Sequence, residues 1–407
     1  FNTSASFKHQ FVFSNSLNYE FKSSNFQQIE PYRNVEFSRD WNIGNQLNFT
    51  EHIARFQTQL ADIKHNILVG YKFSTFIRQQ QYKGFENWLS FGTNYKNIKI
   101  AADIRALTTQ DTLYKSMFLR PAITVAYSIS KARGLSFSAG FYQENNVFRN
   151  KLTNVLQPNS FRNNNFLFQF FMPDTSRWNF MLEYKFRKDI EVRNAAFKDS
   201  TTAHTVEFRG SANKLTNQTF NWTFTYRNLS VKDTTVQQKP EQTFLGRTEY
   251  GARIKKGVLR LNFIYELGGG QERVRQFTYV QVPSGQGYYK WIDQNHNGIQ
   301  ELNEFVPSQF NDSAQYVRVQ TALNEYVRAN STGYTQNITI QPKAVWFNQK
   351  GFKGFMAKLT LQSYMQIKRK VYKGNIGKIF NPFVFNTSDS NTIALNSNVR
   401  NSFIFNS

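Results

Sequence analysis

Residues 178–186 read WNFMLEYKF, and large apolar side chains alternate strictly with mostly polar ones along this stretch. A β-strand projects successive side chains to opposite faces, so the segment presents one apolar face and one polar face. The same period-two pattern recurs along most of the 407-residue chain. The repetition predicts an all-β protein with roughly 16–20 strands.

The composition suits a sheet that faces lipid on one side and water on the other. The chain has 41 Phe, 20 Tyr and 6 Trp, yet only 40% of its residues are hydrophobic, and its mean hydropathy is −0.56. In a transmembrane β-barrel only alternate residues meet lipid, and aromatic girdles mark both interfaces. No stretch approaches the roughly 18–20 consecutive apolar residues of a spanning helix. A membrane-embedded form of this chain must therefore be a closed barrel, which pairs all its backbone groups.

We therefore predict that residues 1–407 form a transmembrane antiparallel β-barrel in a bacterial outer membrane, with long extracellular loops. Residues 188–202 and 232–242 are polar connectors and are candidates for such loops. The alternative is a soluble all-β protein, such as a sandwich, a propeller or a solenoid. No fixed-period repeat is evident, which argues against the last two. The chain starts without a signal peptide, so we expect it to be part of a longer protein.

The charge is strongly basic, with 50 Lys and Arg against 27 Asp and Glu, a net charge of +23. Such an excess predicts contact with anions. The basic residues stand singly between apolar positions and in loops, which favours lipid phosphates, lipopolysaccharide or an anionic solute over nucleic acid. They predict either a lumen laced by ion pairs or a pore that attracts anions. The candidate lumen residues are Arg105, Lys185, Arg187, Arg209, Arg227, Arg260 and Lys358.

Residues 285–312 form a predicted long loop, within which residues 293–304 read DQNHNGIQELNE. The pattern resembles a calcium-binding loop, in which oxygen ligands alternate along a tightly curled backbone and Gly permits the sharp turn. Gly298 has the position of that glycine, and no helices flank the loop. The candidate calcium ligands are Asp293, Asn295, Asn297, the carbonyl of Ile299, Glu301 and Glu304. The alternative is a type I′ turn at Asn297-Gly298, which needs no metal.

Two segments resemble parts of large, poorly characterised outer-membrane β-barrel proteins of Bacteroidota. They are residues 29–42, IEPYRNVEFSRDWN, and residues 288–319, which include WIDQNHNGIQELNEF. The resemblance implies an outer-membrane setting and no enzymatic activity. Members of this bacterial group build giant barrels for type 9 secretion and add barrel subunits to their outer-membrane assembly machinery.

No catalytic pattern is evident in the sequence. The chain has no cysteine and only 5 His, which are scattered, and it has neither a nucleophile elbow nor a P-loop. We expect a non-enzymatic role, as a structural subunit of an envelope complex for outer-membrane protein assembly or secretion. Other envelope proteins are the expected partners. The alternatives are a transport pore for anionic or oligomeric solutes and a surface binding module.

Overall fold

The computed structural model describes residues 2–7, 10–26, 33–34, 36–43, 49–79, 81–129, 134–172, 177–212, 215–232, 240–372, 376–385 and 391–405. These residues belong to two compact units, Phe1–Asn262 and Phe263–Ser407. Within the described ranges the chain forms 19 strands and only short helices. The predicted all-β fold class is confirmed, and the strand number falls in the expected range. No helix in the same ranges is both long enough and apolar enough to cross a membrane.

The first unit is an antiparallel meander in which each strand from β1 to β12 pairs with the next one along the chain. A short helix, α1 (Phe37–Asp40), lies between β2 and β3 in sequence. The strands are β1 (Asn2–Phe7), β2 (Phe11–Lys22), β3 (Glu51–Asp62), β4 (Ile67–Arg78), β5 (Tyr82–Tyr95), β6 (Ile98–Asp111), β7 (Tyr114–Ile129), β8 (Leu135–Asn150), β9 (Phe161–Met172), β10 (Asn179–Arg193), β11 (Ala196–Ser211), β12 (Gln218–Val231) and β13 (Glu241–Ile254).

The second unit is also built from antiparallel pairs, with β15 paired to β16 and β17, and with β17, β18 and β19 paired in order. β14 begins in the first unit and ends in the second. The elements are β14 (Leu259–Gln281), β15 (Tyr289–Trp291), β16 (Phe305–Pro307), β17 (Tyr316–Ile340), α2 (Lys343–Trp346), α3 (Gly351–Ala357), β18 (Leu359–Val371), α4 (Ile376–Phe380) and β19 (Thr392–Phe405).

The strand register aligns like faces across neighbouring strands of the first unit. Tyr184 of β10 lies opposite Phe168 of β9 and Val206 of β11, so apolar residues form continuous rungs. On the other face, Glu183 lies between Gln169 and Glu207. Because the side-chain period is two, this in-register pairing keeps every apolar residue of the pattern on one side.

The apolar face is exposed rather than covered. Phe168 is 52% exposed, Leu182 is 44% exposed and Phe208 is 40% exposed. Rings on adjacent strands stack across the ladder, with centroids 6.4 Å apart for Phe168 and Tyr184 and 6.1 Å apart for Phe166 and Phe186. A broad exposed surface of this kind is rare in soluble monomers.

The connection between β10 and β11 differs from the predicted long loop over residues 188–202, and that prediction is wrong. β10 continues to Arg193 and β11 begins at Ala196, so only Asn194 and Ala195 form the turn. Both have positive φ, 52° and 57°, as a two-residue type I′ hairpin requires. The sequence of residues 188–202 suggested a loop because the ends of β10 and β11 that it covers are rich in polar residues. The other predicted connector spans residues 232–242, and its residues 233–239 lie outside the part of the chain that the structure describes.

Candidate functional site

A segment that precedes β3 lies against the polar face of the first unit. We call residues 33–34 and 36–43 the strap; it contains α1. Trp41 of the strap is only 7% exposed and packs edge-on against Phe76 of β4, with ring centroids 5.5 Å apart. Phe37 also meets Phe76, at 5.6 Å. The strap therefore packs its aromatic side chains on an apolar patch within the mostly polar face.

The strap and strands β3–β7 share a small apolar cluster. Its buried members are Trp41, Ile53, Phe76, Tyr82, Leu107 and Phe118. The phenol of Tyr82 donates a hydrogen bond to the carbonyl oxygen of Trp41. Gly84 leaves room for the indole, because a Cβ at this position would lie 3.0 Å from Cε3 of Trp41. The apolar cluster fixes the middle of the strap.

Buried ion pairs hold the beginning of the strap. Glu51 of β3 is 1% exposed and accepts hydrogen bonds from Arg33 Nη1 at 2.6 Å and Arg78 Nε at 3.0 Å. Arg33 also pairs with Glu20 of β2. Burial opposes the charge of Arg33, but its hydrogen bonds to Glu20 and Glu51 leave its pKa above the ordinary value. A buried carboxylate with two guanidinium partners is costly to disrupt, because either charge left alone is poorly solvated.

The end of the strap is fastened to strands farther along the chain. Asp40 accepts a hydrogen bond from Arg120 of β7 at 2.6 Å, and Arg39 pairs with Glu144 of β8. The amide of Asn42 donates to Ser116 Oγ and to Asn146 Oδ1, both at 2.9 Å. The strap thus connects β2, β3 and β4 at its start with β7 and β8 at its end.

The predicted lumen residues are only partly brought together. Four of them lie on the polar face of three adjacent strands: Lys185 and Arg187 on β10, Arg209 on β11 and Arg227 on β12. Arg187 Nε is 2.7 Å from Asp189, and Arg209 is 3.6 Å from Glu207. Within the described part of the chain, Lys185 and Arg227 form no ion pair.

The other three predicted lumen residues are dispersed. Arg105 of β6 stacks on Trp88, with Cζ 3.9 Å from the ring centroid. Arg260 is exposed near the start of β14. Lys358 follows α3 and precedes β18, so it lies outside the strands. Arg105 and Arg260 thus lie on other strands of the first unit, and Lys358 belongs to the second unit.

The loop of residues 293–304 curls through hydrogen bonds to its own side chains. Asp293 accepts from the N–H groups of Asn297 at 3.2 Å and Gly298 at 2.8 Å. Asn297 Oδ1 accepts from the N–H of Ile299 at 2.7 Å. Gly298 has a φ of +71°, a conformation that glycine adopts without strain. The oxygens of Asp293, Asn295 and Asn297 therefore line one tight turn.

Glu304 organises this loop from its buried end. Its carboxylate accepts hydrogen bonds from Trp291 Nε1 at 2.8 Å and from the N–H groups of Gln294 at 3.1 Å and Glu301 at 3.3 Å. The bond from Trp291 lowers the pKa of Glu304, burial opposes the shift, and the backbone N–H groups add to the lowering. In the described residues, no group of three or more His, Cys, Asp or Glu side chains is placed to hold a metal ion. Calcium binding stays a prediction.

The sequence analysis did not predict that the strap residues pack against the sheet. It noted their segment, residues 29–42, only for its resemblance to outer-membrane proteins of Bacteroidota. A usable signal was present: Phe37 and Trp41 are large aromatics in a segment without period-two alternation. Such residues have no place in a spanning strand, and they need another surface to pack against.

Comparison with known proteins gave structural similarities at low identity. No family model matches the chain, and no curated protein matches it. A siderophore receptor, PirA from Pseudomonas aeruginosa, aligns at a TM-score of 0.38 and 8% identity over 99% of this chain and 76% of that one. A bacterial polysaccharide outer membrane secretin aligns at 0.31 and 9% over 88% and 91%. CdiB from Acinetobacter baumannii aligns at 0.29 and 8% over 80% of this chain and 54% of its own length.

The chain thus spans about half the length of CdiB. All three TM-scores lie below 0.5, and the function proposed next rests on this chain's own residues.

Proposed function

We propose that the protein is an integral outer-membrane β-barrel and serves as a structural subunit of an envelope complex. The observation that carries the membrane assignment is the separation of faces in the first unit. Strands β2–β13 have 12 to 16 residues each, longer than the roughly 9–11 that cross a bilayer at barrel tilt. Their aromatic face would meet lipid, and their charged face with its strap would meet water.

Energetics favour this orientation over exposure of the aromatic face to water. Burying a Phe or Leu side chain is worth about 1.5–3 kcal/mol. Half-exposed rings recur on one face of strand after strand, including Phe91 at 40% and Phe137 at 47%. A soluble fold would leave that surface uncovered, whereas a bilayer covers it without requiring any further protein.

A loop in the second unit that is hydrogen-bonded to itself supports the role as a subunit. Ser308 Oγ and Ser313 Oγ both donate hydrogen bonds to the carbonyl of Phe310, at 2.9 and 3.0 Å, while Phe310 itself is 73% exposed. Tyr288 and Ile299 are 74% and 64% exposed on the same loop region. Exposed apolar side chains on a backbone stabilised by its own hydrogen bonds favour contact with another envelope protein.

Purification tests the subunit role. The full chain would be isolated from outer membranes in mild detergent, and its partners identified by mass spectrometry. Stoichiometric partners that are lost from a Phe310→Ser, Ile299→Ser variant support it. The matched control is Leu152→Ser, which changes a 95% exposed leucine in a turn of the first unit. A chain that purifies alone under every mild condition contradicts the subunit role.

The alternative function is a transport pore for anionic solutes, favoured by the basic group on β10–β12. Field lines in a narrow aqueous lumen concentrate counter-ions, and Lys185 and Arg227 are exposed on the polar face. Single-channel recording in planar bilayers tests this proposal. Anion-selective conductance supports the pore, and the absence of conductance from folded protein contradicts it.

We also retain calcium as a proposed structural ion of the loop of residues 293–304. Asp293, Asn295, Asn297, the Ile299 carbonyl and Glu301 supply oxygens of the kind that calcium prefers. Glu304 fits less well, because backbone and indole donors already engage its carboxylate. Calcium-dependent protection of the loop from protease, abolished by Asp293→Ala, supports the ion. Equal cleavage with calcium and with chelator contradicts it.

A further inference from the structure

A polar cavity lies on the polar face of the first unit beside the strap. Its volume is about 570 Å³, and it is bounded by Arg39 of the strap and by residues of β8–β12. This volume falls within the range of about 300–1,000 Å³ that is usual for small-molecule sites. Its seven charged lining residues are Arg39, Glu144, Arg162, Arg187, Asp189, Glu191 and Arg227. Arg162 donates a hydrogen bond from Nε to Asn145 at 3.3 Å.

The carboxylates of the cavity are already satisfied by protein donors. Glu144 accepts from Arg39 and, at 3.1 Å, from Asn163 Nδ2. Asp189 accepts from Arg187 Nε at 2.7 Å and from Thr201 Oγ1 at 2.9 Å. Glu191 accepts from Arg193 Nη2 at 2.9 Å. These arginine–carboxylate pairs neutralise the three acidic side chains of the cavity.

Guanidinium donors remain for a ligand. Arg187 donates to Asp189 through Nε, and its terminal nitrogens donate no hydrogen bond to any residue that the structure describes. Arg227 forms no ion pair or hydrogen bond among the residues that the structure describes, although it lines a cavity with three acidic side chains. Lys185 shares a rung of the ladder with Thr205 and Arg227, which adds positive charge alongside.

We propose that this cavity binds a small solute that carries a phosphate or a carboxylate, with Arg227 and Arg187 as its anion-binding residues. A planar guanidinium matches both anions through paired hydrogen bonds. The cavity opens on the polar face, opposite the aromatic one, so a dissolved anion fits it better than a lipid headgroup does. The site would be part of the anion pore described above as the alternative function. It depends on that function only because both need water to reach the polar face.

The test is calorimetric titration of the full chain, folded in detergent, with glucose 6-phosphate, glucuronate and glucose. The first two probes separate phosphate from carboxylate recognition, and glucose is the uncharged control. We expect one or both anions to bind and glucose not to bind. Arg227→Gln should weaken anion binding at least about tenfold, because a charge-assisted hydrogen bond is lost.

The matched control is Arg247→Gln, which removes the same charge from the polar face of the adjacent strand β13, outside both the cavity and the basic group. It should change affinity by less than about twofold, since only distant screening is altered. Heat-dependent electrophoretic migration confirms that each variant is folded. Failure of both anions to bind, equal binding of glucose, or equal losses in the two variants would overturn the site.

The outcomes also separate the site from the proposed functions. Anion binding without conductance keeps the site and contradicts the pore. Conductance without binding of either probe keeps the pore and contradicts the site. Neither result depends on whether the chain co-purifies with partners.

Discussion

Replacing Phe168 by Arg tests whether the aromatic face of the sheet meets lipid. Phe168 is 52% exposed in the second half of β9 and lies opposite Ala139 and Tyr184. An arginine on the lipid face near the middle of a barrel strand costs about 2–4 kcal/mol. Loss of the ring pair with Tyr184, at 6.4 Å, adds about 0.5–1.5 kcal/mol. We therefore expect the free energy of unfolding to fall by about 3–5 kcal/mol.

The neighbouring substitution Gln169→Arg provides the matched control. Gln169 lies on the polar face and donates a hydrogen bond to Glu183 at 2.8 Å, so an arginine there gains an ion pair and changes stability by at most about 1 kcal/mol. Both variants would be folded into lipid vesicles and unfolded with urea, with tryptophan fluorescence as the probe. A soluble sheet would lose only the ring pair, about 0.5–1.5 kcal/mol, and a loss no larger than that would refute the membrane-facing assignment.

Three further predictions concern the strap and the loop. Trp41→Ala should lower the free energy of unfolding by about 3–5 kcal/mol, whereas Trp178→Ala, at a 49% exposed position, should cost clearly less; equal losses in urea unfolding would contradict the packing of the strap. Glu51→Gln should cost about 3–5 kcal/mol, because Arg33 and Arg78 lose their buried counter-charge, and a variant as stable as the parent would show that the ion pairs are dispensable. The lowered pKa of Glu304 means that its carboxylate stabilises the loop above the ordinary carboxyl pKa of about 4 and loses that effect as the pH falls through the folded-state value. The protection factors for hydrogen exchange of residues 294–304 should therefore fall in acid, and an identical fall in Glu304→Gln would count against this role.

The period-two pattern predicted the sheet well, because a strand's faces are a local property of the sequence. It found β10 in residues 178–186 and kept Phe180, Leu182 and Tyr184 on one face, as the register confirms. The pattern is weaker in β3 and β13. β3 carries Glu51 and Arg55 on its polar face and small or polar Ala54 and Thr58 on the other. Such a strand has little apolar contrast for the pattern to detect.

The candidate site was less predictable, because its contacts join residues far apart in sequence. Arg39 meets Glu144 across 105 positions, and Asn42 meets Ser116 across 74. The alternation pattern placed Arg187 and Arg227 on the polar face. It could not show which of the two arginines would pair with Asp189. The two-residue turn at Asn194 and Ala195 was hidden for a different reason: Ala is an unusual residue at positive φ.

The strap has a consequence for the order in which the chain folds. Most neighbouring strands of the first unit are joined by short connections, and such hairpins close quickly because few residues separate their partners. The strap precedes β3 in sequence, yet its anchors at Arg120 and Glu144 lie on β7 and β8. It cannot complete its contacts until those strands exist, and closing so long a loop is entropically slow. The strap is synthesised early but would therefore dock late. Its docking would require that the first eight strands have already reached their final spacing.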